Sequence, residues 1–333
     1  MVIDGLARGL TAAGHEVVLF ATGDSTCPVP LRWIWPRALG TGASVQAEVR
    51  HVEAAYQLLM NEVDIIHDHT LSGPRRLLAM DYPTPVIATN HGPFTPEMVR
   101  WYEPIGRRLP LVAISGAQAA SAGSVKIAAI IRHGIDMDAV PLGSGDGGYV
   151  AFLGRMNADK GPHRAIAAAR AAGVPIRLAA KMWEPAERAF FRERVQPLLG
   201  ADAVYVGEVG GQSKLDFLAE ASVLVNPIRW PEPFGLVMIE AMACGTPVVS
   251  FALGAAPEIV TDGVNGFLCQ DEAGMADAIG WALCLDRGGC RASVEHRFSL
   301  GRMVDDHVRL YRQALDDWDR YQARRDPRAL RAG

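Results

Sequence analysis

The 333-residue chain lacks several features that mark particular classes of protein. Its five Cys include no Cys-x-x-Cys pair, which argues against a structural zinc site and against a disulfide framework. No uninterrupted apolar run reaches the roughly 18 residues that a membrane span needs, so we expect no transmembrane segment. The first residues carry Asp4 where an export signal carries positive charge. We therefore expect a cytoplasmic protein.

The sequence also lacks a charge excess, with 33 Lys and Arg against 37 Asp and Glu. This balance gives no general attraction to nucleic acid, and we expect no nucleic-acid partner. Residues 1–140 hold 11 basic and 13 acidic residues, which mildly favours a soluble acceptor over one embedded in anionic lipid. Only four basic residues are Lys, so a Lys at a motif position carries added weight.

Short apolar runs alternate with helical patterns along most of the chain. Near-continuous apolar strands are typical of sheets buried on both faces, and strand–helix alternation is typical of parallel sheets. The sequence therefore predicts an α/β protein. The predicted strands are 16–20, 63–69, 85–90, 111–115, 125–131, 149–154, 174–180, 203–207, 222–226 and 247–251.

Residues 141–148, PLGSGDGG, are the strongest interruption of this pattern. The strand–helix pattern restarts directly after them, so we predict two doubly wound domains, 1–142 and 149–302. A long surface loop within one domain is the alternative, but 333 residues are many for a single core. Two such domains would direct the carboxyl ends of their strands toward a shared cleft.

The two ends of the chain need separate predictions. Residues 1–14 are predicted to form a helix, whereas a doubly wound domain normally begins with a strand and a Gly-rich turn. We expect that first strand and turn to be missing from this chain. Residues 303–321 have apolar residues at helical spacing and are predicted to form a helix that packs back on the first domain, followed by a polar tail, 322–333.

The densest candidate for a functional site is residues 229–268. Glu232 lies in a turn between Pro231 and Pro233, and Glu240 falls eight residues later inside an apolar helix. A lone Glu on a helix is usually a surface residue, but this helix is apolar around most of its circumference, which favours burial. A buried carboxylate needs a hydrogen-bonding partner.

Anion-binding groups accompany these carboxylates. The predicted helix start at Phe234, Gly235 and Leu236 offers free N–H groups and the positive end of a helix dipole. The strand 149–154 ends in Gly154-Arg155, with Lys160 five residues later, at a sheet edge where a diphosphate would lie. Arg and Lys on loops are usually only solvated, so this second signal is weak alone.

Together these segments resemble the retaining GT-B glycosyltransferases of family 4. Glu232 and Glu240 fit the Glu-x7-Glu pattern of the family, and EPFGLVMIEAMACGTPVV matches almost throughout. FLGRMNADKG resembles the Gly-Arg…Lys-Gly segment that binds the donor diphosphate. The resemblance covers residues 1–315 and is more specific in the second domain. It implies the GT-B fold, with two Rossmann-like domains facing a central cleft.

The resemblance assigns roles in the second domain. Glu240 would bind the ribose hydroxyls of a nucleotide-sugar donor, and Glu232 the hydroxyls of the donor sugar. Arg155 and Lys160, with Gly154 beside them, would neutralise the diphosphate, assisted by backbone N–H groups. Those N–H groups belong to Phe234, Gly235 and Leu236. Glu208 and Val209 match the loop that contacts the base.

In the first domain, Asn90-His91-Gly92 resembles the family segment that places a His beside the donor sugar and the reaction centre. Ser115 matches a position that often faces the donor. His67, Asp68 and His69 resemble a strand end that faces the cleft, although a core or surface role is equally expected for Asp68 and His69.

The resemblance implies transfer with retention, in which the departing phosphate oxygen takes the proton of the acceptor. Fixed cations and a helix N-terminus can stabilise a leaving diphosphate, so we expect neither a metal nor a further cofactor. The donor is expected to be of UDP or GDP type, and the acceptor a small molecule, a saccharide or a lipid. Oligomeric state cannot be inferred from the sequence.

Two other functions on the same fold stay open. One is a nucleotide-sugar epimerase, and the other is a non-catalytic nucleotide-sugar binding protein, which the missing first strand would favour. A Rossmann dehydrogenase is a weaker option because no Gly-x-Gly-x-x-Gly follows a strand at the required place.

Overall fold

The computed structural model describes residues 2–40 and 44–325. The chain divides into two compact units, which are described separately. Unit 1 combines the chain up to Gly134 with the chain from Leu300 onward, and unit 2 is Ile135–Ser299.

Unit 2 contains one sheet of six parallel strands in the order β12-β11-β10-β7-β8-β9. The strands are β7 Val150–Arg155, β8 Ile176–Lys181, β9 Ala203–Gly207, β10 Val223–Asn226, β11 Val248–Phe251 and β12 Gly266–Cys269. The first five were predicted as apolar runs, and β12 was not. Side chains from these strands are fully buried among those of helices, as expected for a sheet covered on both faces.

The helices of unit 2 connect successive strands and cover the sheet. They are α6 Pro162–Ala171, α7 Pro185–Phe190, α8 Gly211–Glu220, α9 Leu236–Ala243, α10 Ala256–Ile259, α11 Glu272–Ala282 and α12 Arg287–Phe298. Numbered within the unit, the strand order is 3-2-1-4-5-6 read from β9 to β12, the order of the Rossmann fold.

The Gly-rich segment 141–148 belongs to unit 2. The N–H groups of Gly143 and Gly147 donate to the carbonyl oxygens of Cys244 and Glu220, both at 2.9 Å. A Cβ on Gly143 would lie 2.1 Å from the Ala219 carbonyl oxygen, so glycine permits this close approach. The contact division lies between Gly134 and Ile135, whereas the sequence analysis placed the boundary at 141–148.

Unit 1 contains a four-stranded parallel sheet in the order β3-β4-β5-β6 and a separate parallel pair, β1-β2. The strands are β1 Leu19–Phe20, β2 Leu31–Arg32, β3 Ile66–Asp68, β4 Val86–Thr89, β5 Leu111–Ala113 and β6 Ala129–Ile130. The helices are α1 Val2–Ala12, α2 Val45–Leu59, α3 Gly73–Arg76, α4 Pro96–Gly106, α5 Gly116–Ser121 and α13 Leu300–Arg325. In the described part of the unit, α1 is the first element and β1 follows it, as the sequence predicts.

The long C-terminal helix α13 belongs to unit 1. Its buried Met303 and Val304 pack in one apolar cluster with Ile87 and Val112 of the sheet. The helix is longer than the predicted 303–321 and continues through residues 322–325, which were predicted as tail. The rest of the predicted tail, 326–333, lies outside the described residues.

Candidate active site

The strand order of unit 2 places a switch point between β7 and β10. The chain crosses from these two adjacent strands in opposite directions, and open α/β sheets bind ligands outside the carboxyl ends of such strands. The segment after β7 carries Lys160, and the segment after β10 carries Glu232. The structure thus brings together two residues that are 72 positions apart.

Lys160 and Glu232 form a hydrogen-bonded ion pair. Both side chains are partly buried, about one fifth exposed, so solvent screens them less than it screens a surface pair. Arg164 ties the two segments together, since its guanidinium donates to the carbonyl oxygens of Asp159 and Pro227 at 3.1 and 2.8 Å. A cation and a carboxylate fixed side by side can bind a phosphate oxygen and a sugar hydroxyl respectively.

The backbone of Glu232 is held by the turn after β11. The Ala255 N–H donates to the Glu232 carbonyl oxygen at 3.0 Å. Gly254 has a φ of +56°, and a Cβ there would lie 2.4 Å from the same oxygen. Position 254 therefore requires glycine, because of its positive φ and because a side chain would collide with the Glu232 backbone.

Glu240 lies on α9 and is buried, as its apolar neighbours predicted. The Lys214 ammonium, on α8, donates to Glu240 Oε1 at 2.7 Å. Burial raises the pKa of Glu240 above its ordinary value, and the charge and hydrogen bond of Lys214 oppose that rise. Sequence reasoning missed Lys214, because nothing local shows that α8 packs beside α9.

Arg155 does not join the Lys160–Glu232 pair. Its guanidinium donates to Glu187 at 2.6 Å and to Glu184 at 2.7 Å, next to α7. The hydrogen bond with Glu187 raises the pKa of Arg155. Arg155 is the last residue of β7 and lies opposite Lys181 in the register with β8, so it still belongs to the carboxyl edge of the sheet.

The predicted helix start follows Glu232 closely. Phe234 is buried, Gly235 has a φ of +101° and caps α9, and Leu236 is the first helical residue. The first turn of any α-helix has N–H groups without intrahelical partners, and its dipole favours anions. Gly154 lies on β7, where a Cβ would make only ordinary contacts of 3.4 Å or more.

The loop after β9 carries the predicted base-contacting candidates Glu208 and Val209. Glu208 accepts a hydrogen bond at 2.8 Å from the indole N–H of Trp183, a residue that follows β8. Val209 is the next residue and is partly exposed. The sequence prediction included Glu208 and Val209 but missed Trp183.

In unit 1, the predicted His91 belongs to a group of histidines. His91 Nε2 lies 2.9 Å from His69 Nδ1, and the His91 ring stacks on that of His133 at 5.4 Å between centroids. His67 lies beside His69 and hydrogen-bonds Tyr311 of α13 at 2.6 Å. His67 and His69 were predicted as candidates, whereas His133 and Tyr311 were missed.

Burial favours the neutral form of these imidazoles. Burial lowers the pKa of His91, and burial followed by the charge of His91 lowers that of His69 well below its ordinary value. For His133, burial and then His91 lower the pKa to about 3. Buried Gln118 fixes the His91 loop by donating to the carbonyl oxygens of Asn90 and Gly92 at 3.0 and 2.6 Å.

Two other unit 1 candidates have clear structural contacts. Ser115 is fully buried, and its hydroxyl oxygen accepts from the Gln118 N–H at 2.9 Å, which caps α5. Asp68 is buried and accepts hydrogen bonds from the Tyr56 hydroxyl and from Thr70. Asp68 therefore holds local structure through these hydrogen bonds, and a role in the cleft stays a prediction.

Among the described residues, no group of three or more His, Cys, Asp or Glu side chains could hold a metal ion. Two Asp-x-Asp sequences do occur, at 136–138 and 317–319. They lie on a short turn after β6 and on α13, not at the switch point of unit 2.

None of the described helices is long and apolar enough to cross a bilayer.

Comparison with known proteins identifies the class. A solved glycosyltransferase of avilamycin A biosynthesis, AviGT4, superposes with a TM-score of 0.73 at 26% identity, covering 95% of this chain and 89% of that one. The Anabaena protein Alr3699/HepE, solved with UDP and glucose, gives 0.71 at 20% identity, covering 92% and 95%. The fold is therefore GT-B, with two Rossmann-like units.

Family models and curated relatives agree with this class. The model described as Glycosyltransferase Family 4 matches residues 1–140, and that described as Glycosyl transferases group 1 matches 147–284. The D-inositol 3-phosphate glycosyltransferase of Mycolicibacterium smegmatis is 34% identical over 61% of this chain and 51% of its own length. The Mycobacterium leprae enzyme of that name is 26% identical over 94% of this chain and 87% of its own.

The first of these matches spans about half of the relative's length. The two family models together cover both units and most of the chain. The chain belongs to the family 4 glycosyltransferases of GT-B fold.

Proposed function

We propose that this chain transfers a sugar from a nucleoside-diphosphate sugar to a hydroxyl acceptor, with retention of anomeric configuration and without a metal ion. The observation that carries the proposal is the pair of carboxylate–lysine contacts in unit 2. Lys160–Glu232 lies at the sheet switch point, and Lys214–Glu240 joins the two helices beside it. Both lie where a Rossmann-type sheet binds a nucleotide.

Each of these groups has a defined task in the proposal. Lys160 neutralises the β-phosphate, and the N-terminal N–H groups of α9 add hydrogen bonds to the developing charge. Glu232 accepts hydrogen bonds from the donor sugar, and Glu240 from the ribose. Arg155 forms ion pairs with Glu184 and Glu187. When the donor binds, the Arg155 guanidinium would release one of these carboxylates and bind a phosphate oxygen of the donor instead.

The proposed reaction balances without any added reagent. The bond between C1 of the sugar and the β-phosphate oxygen breaks, and the acceptor oxygen bonds to C1 on the same face. The acceptor proton passes to the departing phosphate oxygen, so the products are a glycoside and a nucleoside diphosphate. No protein carboxylate acts as the nucleophile, which distinguishes this scheme from that of a retaining glycosidase.

For the donor we propose a UDP-sugar, and for the acceptor a small phosphorylated polyol of the inositol phosphate class. The Anabaena neighbour was solved with UDP, and the mycobacterial relatives are named for D-inositol 3-phosphate. The balanced charge of residues 1–140 is in keeping with a soluble acceptor.

The test is a product assay with UDP-glucose, UDP-N-acetylglucosamine or GDP-mannose, each with and without D-inositol 3-phosphate. We expect release of UDP that depends on the acceptor, resistance to EDTA, and a new α-glycoside in the proton NMR spectrum. An epimerised donor without a glycoside would favour the epimerase. Donor binding without turnover for a broad acceptor set would favour a binding protein.

A further inference from the structure

Trp183 is a large aromatic residue at the same sheet edge that carries the proposed donor site. It follows β8 by two residues, and 53% of it is exposed. The strand β8 lies between β7, which ends at Arg155, and β9, which leads to Glu208. An exposed indole beside charged groups at a ligand-binding edge needs an explanation that packing does not supply.

The indole is fixed in place by polar contacts. Its Nε1–H donates to Glu208 Oε2 at 2.8 Å, and the Lys181 ammonium lies 4.2 Å from the ring centroid. The Trp183 backbone N–H donates to Glu187 Oε2 at 2.9 Å. An aromatic ring held in one orientation before a ligand arrives loses little freedom on binding.

Glu187 links this ring to the proposed diphosphate site. Its carboxylate is nearly fully buried and holds the Trp183 backbone through one oxygen and the Arg155 guanidinium through the other. One buried side chain therefore sets the spacing between an aromatic surface and a phosphate-binding cation.

The loop that carries Glu208 leads to the proposed ribose site. Glu208 precedes α8 by three residues, and α8 carries Lys214, which holds Glu240. A nucleotide with its ribose at Glu240 and its phosphates at the switch point would direct its base toward the loops after β8 and β9, which carry Trp183 and Glu208.

We infer that Trp183 is the stacking surface for the nucleobase of the donor, and that Glu208 positions the indole rather than reading the base. This inference rests on the proposed function and adds to it a residue that binds the nucleoside part of the donor. An indole face stacks on any base, because every base has a π-face. Trp183 would therefore contribute affinity for the nucleoside part of the donor with little selection between bases.

Calorimetric titration of the whole chain with UDP, ADP and pyrophosphate tests the inference. We expect Trp183→Ala to raise the Kd for UDP and ADP about ten-fold or more and to change the Kd for pyrophosphate, which has no base, less than two-fold. Trp183→Phe should keep most of the affinity. The control is Trp281→Ala, which removes an indole that is 59% exposed at the end of α11, and it should leave all three constants unchanged.

Two results would overturn the inference, and they differ in what else they affect. If the wild-type chain binds UDP and Trp183→Ala binds it equally well, the stacking role is wrong and the proposed function stands. If the wild-type chain binds none of UDP, ADP, GDP or dTDP, both are wrong. An equal loss of pyrophosphate affinity in Trp183→Ala would mean that the residue supports Arg155 instead of a base.

The positioning role of Glu208 has its own test. Glu208→Ala should weaken UDP binding in the wild-type background and have no further effect in Trp183→Ala, because Glu208 acts through the indole. Glu208→Gln keeps an oxygen that accepts the indole hydrogen bond and should restore most of the affinity. Additive losses in the double variant would show that Glu208 contacts the base itself.

Discussion

At the carboxyl edge of the unit 2 sheet, charged side chains stand in pairs, whereas at the corresponding edge of the unit 1 sheet histidines contact one another. The unit 2 pairs are Lys160–Glu232, Arg155–Glu187 and, on the helices, Lys214–Glu240. In unit 1, burial keeps His69 and His91 neutral. A cation of unit 2 could bind an anion in place of its carboxylate partner, whereas the imidazoles of unit 1 could form hydrogen bonds without carrying a charge.

This difference suits the two halves of a sugar transfer. A leaving diphosphate needs fixed positive charge in a site shielded from water. A neutral imidazole can hydrogen-bond sugar hydroxyls without opposing the positive charge that develops at C1. The assignment of His91 to the reaction centre comes from the family resemblance and stays a prediction.

The largest effect that we predict comes from removing the cation of unit 2. Lys160→Ala should lower turnover by tens-fold or more, about 2 kcal/mol or more of transition-state stabilisation, because the proposed role of Lys160 is to neutralise the leaving group. Steady-state kinetics at saturating donor measure this loss. The control is Arg170→Ala, which breaks an exposed ion pair with Asp202 away from the site. Near-normal turnover in a folded Lys160→Ala variant would contradict the role of unit 2 as the leaving-group site.

A second effect concerns the buried pair of unit 2. Lys214→Met leaves the Glu240 carboxylate buried without its ammonium, and we expect the free energy of unfolding to fall by about 2–3 kcal/mol at pH 8. Burial already raises the pKa of Glu240 in the folded chain above its value in the unfolded chain. The ionised carboxylate therefore destabilises the folded state at high pH, and this destabilisation decreases as the pH falls and the carboxyl takes up a proton. Urea unfolding should therefore show a smaller loss at pH 5 than at pH 8. The double variant Lys214→Met, Glu240→Gln should recover stability at pH 8, and no recovery would mean that packing causes the loss.

The third prediction addresses the neutral edge of unit 1. Burial lowers the pKa of His307 on α13 to about 4, against the opposing effects of its hydrogen bond to Met303 and of Asp306. Below pH 6.5 the unfolded chain takes up a proton that the folded chain does not, so stability falls as the pH falls toward about 4. The rings of His67 and Tyr311 contact that of His307, and the charges of Arg302 and His91 also lower its pKa.

His307→Gln should reduce that slope by up to about 1.4 kcal/mol per pH unit between pH 6.5 and 4. Urea midpoints at pH 7, 6 and 5 measure the slope, and His296→Gln on α12 of the other unit serves as control. An unchanged slope in His307→Gln would mean that the unit 1 histidines are not held neutral.

The same comparison shows what the sequence could predict. Most of the strands and the burial of Glu240 follow from local patterns, since an apolar run or an apolar helix is visible in a few neighbouring residues. The strands β2 and β12 were not predicted. The Glu232–Glu240 spacing is likewise local, which is why the sequence offers its most specific site candidates in unit 2.

Contacts between distant residues could not be predicted in this way. Lys214 is 26 residues from Glu240, and Tyr311 is 244 residues from His67. Glycines 143, 145 and 147 resemble a linker in composition, but their N–H groups donate to backbone carbonyl oxygens of unit 2. The segment therefore belongs to unit 2, which begins at Ile135. Only the packing of helices on the sheet brings such residues together.

The smallest effect that we predict separates structure from binding in unit 1. Ser115→Ala removes the cap of α5 and should lower the free energy of unfolding by about 1 kcal/mol. Thr95→Ala removes the equivalent cap of α4, which bonds the Met98 N–H at 3.3 Å, and is the matched control. Both variants should lose similar stability and keep the donor KM of the wild type. If Ser115→Ala alone raises the donor KM several-fold, its hydroxyl contacts the donor, and the neutral edge of unit 1 would take part in donor binding as well.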